Sequence, residues 1–165
     1  MAKPIDVTIK NLKEQKVYGL WIRSSLTAAG TEWENLMTLY SRRSGDRGIR
    51  FVIRENTDEK QECDLFCGGL TGGEEISEFE IPAGEYASVT VTPKFGLFWG
   101  SAIENADFYL RSEWPKEAGR RLDDLRVEIR DMLGKKPSME ILYRLLPEES
   151  GIKRTKKPPE RSGGF

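Results

Sequence analysis

The sequence contains no histidine, and only two of its 165 residues are cysteine. Without histidine the commonest general base near neutral pH is missing. The histidine-containing zinc sites go with it, and two cysteines alone do not make such a centre. Cys63 and Cys67 fall in the run ECDLFC. On a strand rising about 3.3 Å per residue they stand roughly 13 Å apart, beyond the roughly 7 Å that a disulfide spans. Both are therefore expected as buried free thiols. No apolar run approaches the roughly 20 residues of a membrane-spanning helix. The opening MAKPIDVTIKN carries no apolar stretch behind its lysine, so a secretory signal is not expected and the cytoplasm is the expected location. The glycine-rich CGGLTGGEE (67–75) has neither the GK[ST] ending of a phosphate loop nor the spacing of a dinucleotide site. It reads as a flexible link.

The chain length and an apolar fraction of 38% against 32% charged residues fit one soluble domain with its own core, expected over residues 1–150. The net charge of −1 is unevenly spread. Residues 151–165 hold five basic residues and one acidic one, a net +4, which leaves −5 on the rest. With Pro158, Pro159 and a terminal GGF, that segment reads as a flexible basic tail. It is either a solubilising terminus or a weak, salt-sensitive contact for phosphate or an acidic surface. The acidic balance of the remainder argues against nucleic-acid binding by the folded body.

Periodicity gives the elements. Ile5, Val7 and Ile9 alternate with polar residues, and residues 16–23 form a second strand-like run. Thr31 and Glu34 make a capping-box pair ahead of Trp33, Leu36, Met37 and Tyr40, which recur at helical spacing and end by Gly45. Strands follow at 49–54 and 62–67. The second half repeats the order: EISEFEI (75–81), the turn PAGE, EYASVTVT (85–92), and a helix carrying Trp99, Ala102, Ile103, Ala106, Tyr109 and Leu110. Pro115 is expected to stop that helix near Trp114. Two strands, near 125–130 and 139–146, complete the half.

The fold class expected from this pattern is α+β. Strand-helix-strand-strand units are duplicated over about 5–68 and 74–147, forming two antiparallel sheets each covered by one helix. A ligand cleft is expected between the two halves, related by a pseudo-twofold axis.

Three stretches resemble the effector-binding domains of AraC-type and MerR-type multidrug regulators, a family that includes stand-alone gyrase-inhibitory-protein-like members. VTIKNLKEQKVYGL (7–20) is similar to the family's first hairpin. FEIPAGEYASVTV (79–91) is similar to its strand, Pro-Ala-Gly turn and Tyr-Ala strand. EWP (113–115), VEI (127–129) and MEILYRLLP (139–147) are similar to its tryptophan-proline signature and final strands. The resemblance covers about residues 5–147 and implies a cleft with aromatic walls and one buried glutamate that attracts lipophilic cations. That glutamate matches Glu128, with Glu140 the rival assignment. Where the family has an aromatic residue two positions later, this chain has Arg130. An arginine there would neutralise the glutamate and favour anionic or polar ligands.

The expected ligand-binding residues are Glu128, Trp21, Phe95, Trp99, Tyr109 and Arg130, drawn from an aromatic pool that includes Trp33 and Trp114. Aromatic faces attract cations by about 0.5–2 kcal/mol each, although each also serves as core. Glu128 reads in two ways: as a cleft carboxylate awaiting a cation, or as a strand-face glutamate paired with Arg126 or Arg130. The function expected is that of a stand-alone small-molecule-binding protein for lipophilic compounds, cationic ones among them, with no DNA-binding domain. The alternatives are a hydrolase of reactive small molecules, with the cleft glutamate as base and a tyrosine (Tyr86, Tyr109 or Tyr143) as acid, and a protein-interaction module. No cofactor, metal or membrane partner is expected.

Overall fold

The structure is a computed structural model and describes residues 5–91, 99–131 and 137–148. The basic segment 151–165 and Phe95 lie outside the described residues. Among the described residues, eight strands form a single curled antiparallel sheet. They are β1 (Thr8–Leu12), β2 (Gln15–Ser25), β3 (Arg50–Glu55), β4 (Glu62–Gly69), β5 (Ser77–Ile81), β6 (Gly84–Val91), β7 (Leu122–Asp131) and β8 (Ser138–Leu145), in the order β1-β6-β8-β7-β3-β4-β2-β5.

This corrects the expected pair of sheets and the expected duplication into two separate halves related by a pseudo-twofold axis. Strand β3 pairs with β7 from Arg50↔Arg130 to Arg54↔Arg126, so the halves share one hydrogen-bonded ladder at the middle of the sheet. The outer strands cross over as well. β1 pairs with β6 instead of turning back onto β2, and β5 pairs with β2 across Gln15↔Ile81 to Gly19↔Ser77. Alternation fixes which face a side chain takes but leaves the partner strand open, so two local hairpins and this exchanged pairing share one sequence pattern.

Helix α1 (Ala29–Ser44) covers β2, β3 and β4 through Leu36, Met37 and Tyr40, packed on Leu20, Val52, Leu65 and Cys67. Helix α2 (Trp99–Phe108) covers β6 and β8 through Ala106, with Leu110 and Trp114 beyond it, packed on Ala87, Val89, Ile141 and Tyr143. The opposite face is filled by Val17, Phe51, Ile53, Phe66, Tyr86 and Leu142. Both helices therefore lie on one face and leave the central β3/β7 pair between them.

Several local expectations change. The expected capping box does not form. The helix starts at Ala29, and Thr31 Oγ1 donates to Ala28 O at 3.0 Å, while Ser25 Oγ accepts from Ala28 N at 3.0 Å. Pro115 does not end the second helical segment. A π-turn, Tyr109–Glu113, widens the backbone and leads into α3 (Trp114–Ala118), with proline in its first turn. There the missing N–H removes no required bond. The alternation at Ile5 and Val7 belongs to a segment packed on the α2-side core, while Ile9 is exposed. Cys67, Gly68 and Gly69 are part of β4, not a link. Gly19 and Gly68 are partners across β2 and β4, and a Cβ on Gly68 would lie 1.9 Å from the Tyr18 carbonyl oxygen. The strands cross there more closely than any side chain permits. Cys63 and Cys67 are free and buried, and burial pushes the Cys67 thiol up to about 12.

Candidate functional site

The gap between α1 and α2 is a cleft of about 500 Å³, floored by Val52 and Arg54 of β3 and by Arg126, Glu128 and Arg130 of β7. Trp33 of α1 and Ile103 and Asp107 of α2 form its sides. It continues into a second lobe of about 610 Å³ that shares Leu26, Arg54, Asp107 and Arg126 with the first. The period of two explains the floor. Val127 and Ile129 point into the core of the opposite face, so Arg126, Glu128 and Arg130 must point up between the helices.

Glu128 is 3% exposed, and each of its carboxylate oxygens accepts from an arginine. Arg126 Nη1 donates to Oε1 at 3.0 Å, and Arg130 Nε donates to Oε2. Arg126 also donates from Nε to Asp107 Oδ1 at 3.0 Å, where the Tyr143 hydroxyl donates at 2.7 Å; Arg111 Nε reaches Oδ2 at 2.9 Å. Burial alone would raise the Asp107 carboxyl, but Arg126, Tyr143 and Arg111 outweigh it and hold it below the usual range. Burial pushes the Tyr143 hydroxyl up to about 12. Removing two charges from water costs several kcal/mol per ion, and only a saturated network such as this one offsets it. The Arg130 guanidinium then stacks on Trp33, 3.9 Å from the ring centre.

Arg54 differs from its neighbours. It is half-buried, lines both lobes and lies directly opposite Arg126 across the β3–β7 ladder. Among the described residues it has no hydrogen-bond or ion-pair partner, whereas Arg111, Arg126 and Arg130 each hold a carboxylate.

Of the residues expected to bind ligand, the structure places Glu128 and Arg130 together on this floor. Trp21 points to the opposite face, stacked against Phe66 and Phe79 with ring centres 5.0 and 5.4 Å away. It borders a separate depression with Arg23 and Glu55. Tyr109 packs beside the α2-side core and donates to Glu117 Oε1 at 2.8 Å. Trp99 opens α2, and its side chain, like Phe95, lies outside the described residues. The rival Glu140 sits on the opposite face, accepting from Ser88 and paired with Lys10 Nζ at 2.6 Å. Trp33, Arg54, Asp107 and Arg126 complete the cleft without having been singled out as ligand contacts. Only the β3–β7 pairing, which alternation does not encode, sets Arg54 opposite Arg126 on the cleft floor. Among the described residues no group of three or more acidic or cysteine side chains is placed to hold a metal ion. No helix there is long and apolar enough to cross a membrane.

No family model matches the sequence, and no curated protein matches it. Several solved structures share the fold at low sequence identity. A protein assigned to bacterial transcription regulation from Staphylococcus aureus MU50 superposes with a TM-score of 0.62 at 9% identity, over 86% of this chain and 99% of the other. SAV2435 bound to tetraphenylphosphonium superposes at 0.61 with 9% identity, over 86% and 94%. The C-terminal domain of EcmrR superposes at 0.59 with 14% identity, over 86% and 98%.

Proposed function

We propose that this protein binds a small, largely apolar organic molecule in the cleft between α1 and α2. The observation that carries the reading is the cleft itself: about 500 Å³ of open space lies above a floor on which Arg126, Glu128 and Arg130 hold one another in place. Ligand sites combine apolar walls with a few fixed polar groups in this way. Trp33, Leu26, Ile103, Val52 and Leu65 supply apolar wall here, and Arg54, Arg126 and Arg130 supply the polar groups.

The expected preference for lipophilic cations has little support in this floor. Tetraphenylphosphonium, the ligand of SAV2435, is a bulky cation, and a bare carboxylate would attract it. Here both oxygens of Glu128 already accept from guanidinium groups, so a cation entering would have to displace an arginine. The same engagement leaves Glu128 poorly placed to draw a proton from water, and we propose binding without turnover.

The test is titration of the full chain by tryptophan fluorescence against a panel of neutral, anionic and cationic aryl compounds, with mass spectrometry of each compound afterward. Saturable quenching by a compound recovered intact is the expected result. Protein-dependent hydrolysis of a bound compound would overturn the reading in favour of an enzyme.

A further inference from the structure

We infer that the cleft holds an anion-binding subsite at Arg54, so that its ligand is an organic anion, an aryl or alkyl carboxylate or a related oxoanion. This deepens the proposed function and rests on it. Four arginines approach the floor, and three have their own acid. Arg126 holds Glu128 and Asp107, Arg130 holds Glu128, and Arg111 holds Asp107. Arg54 has none among the described residues. It is also Cα-paired with Arg126, and like charges directly opposite on neighbouring strands destabilise a sheet. A half-buried guanidinium beside a second one is an arrangement that an oxoanion relieves, because the planar fork matches two carboxylate oxygens at once.

The position of Arg54 fits this role. It lines both lobes of the cleft, so an anionic group bound there would have the apolar wall of Leu26, Ile103 and Trp33 on one side. Arg126 stands across the ladder, but its Nε and Nη1 are already donated to Asp107 and Glu128. Acidic side chains also face the cleft. Glu34 and Glu104 are exposed on the two helices, where water screens them. In the second lobe Asp124 accepts from the Thr57 amide at 2.7 Å, and Asp123 lies 3.8 Å from Arg144. None of these reaches Arg54.

The experiment uses three probes that share one aryl group: naphthalene-2-carboxylate, its carboxamide, and the corresponding aryl trimethylammonium. Each is titrated calorimetrically into the full chain and into Arg54→Gln and Arg54→Lys. The carboxylate is expected to bind at least about tenfold tighter than the carboxamide, with the ammonium weakest, since a charged hydrogen bond is roughly twice as strong as a neutral one. In Arg54→Gln the carboxylate should lose most of its advantage over the carboxamide, so that the ratio of the two affinities collapses toward one. Arg54→Lys should retain part of the preference, and saturable binding of the carboxamide by Arg54→Gln shows that the glutamine variant is folded. Equal binding of the three probes, or an anion preference that survives Arg54→Gln, overturns the subsite and leaves cleft binding standing. No saturable binding by any probe overturns the cleft-binding reading and the subsite with it.

Discussion

Arg130 joins two elements that are far apart in sequence: its guanidinium lies 3.9 Å from the centre of the Trp33 ring while its Nε donates to Glu128. The contact ties α1 to the middle strand of the sheet and closes one end of the cleft. It also turns the one glutamate expected to draw cations into the hub of an arginine network.

Glu128→Gln is therefore expected to act first on stability. Removing the charge leaves Arg126 and Arg130 buried with one fewer counter-ion, which costs about 3–5 kcal/mol when a buried pair is broken. Urea denaturation should show the midpoint falling by the corresponding amount. An unchanged midpoint would mean that the network is looser than its geometry.

Trp33 and Trp21 should separate cleanly in ligand titrations. Trp33→Phe is expected to remove most of the ligand-induced change in fluorescence, because Trp33 lines the cleft. Trp21→Phe should leave that change intact, since Trp21 is stacked on Phe66 and Phe79 on the other face. The reverse pattern would put the ligand on the wrong side of the sheet.

Acid should weaken the fold through two aspartates. Burial raises the Asp46 carboxyl, but donors from the Gly48 amide, Thr71 and Arg50 outweigh it and bring it to about 2. Asp107 is lowered in the same sense. A carboxyl whose folded value lies below its unfolded value of about 3.9 contributes fully above that pH and loses its contribution as pH falls through the folded value. Stability measured in urea should thus drop between about pH 4 and pH 2, and Asp46→Asn should flatten that limb. A limb of the same steepness in the variant would assign the loss elsewhere.

Gly68→Ala tests the close crossing of β2 and β4. The added Cβ would stand 1.9 Å from the Tyr18 carbonyl oxygen, and the backbone on both strands must part to admit it. A loss of at least about 3 kcal/mol is expected, at the upper end of overpacking effects. A thermal midpoint within a degree or two of the parent would show that the strands do not meet there.

The elements were largely legible in the sequence because burial on one face writes a period into it. Leu36, Met37 and Tyr40 mark α1, and Val127 and Ile129 mark the buried side of β7. Strand partners were not legible. The turn before Gly84 looks like a hairpin, yet β5 pairs with β2 and β6 pairs with β1 and β8. That exchange, with the β3–β7 ladder, turned two expected sheets into one and set Arg54 opposite Arg126. For the same reason the sequence marked Glu128 and Arg130 but passed over Arg54, whose relevance exists only through its neighbour on another strand. Trp21 shows the converse: an aromatic residue at a plausible position, placed by the parity of β2 on the far face.

The most direct test of the account is the location of a bound ligand. Amide chemical shifts of the isotopically labelled full chain, followed as naphthalene-2-carboxamide is added, report it without relying on any one side chain. The expected result is a saturable set of changes along β3 and β7 near Val52, Arg54, Arg126 and Glu128, extending to Trp33 and Ile103 on the two helices. Changes confined to the opposite face, around Trp21, Phe66 and Phe79, would contradict the placement of the site.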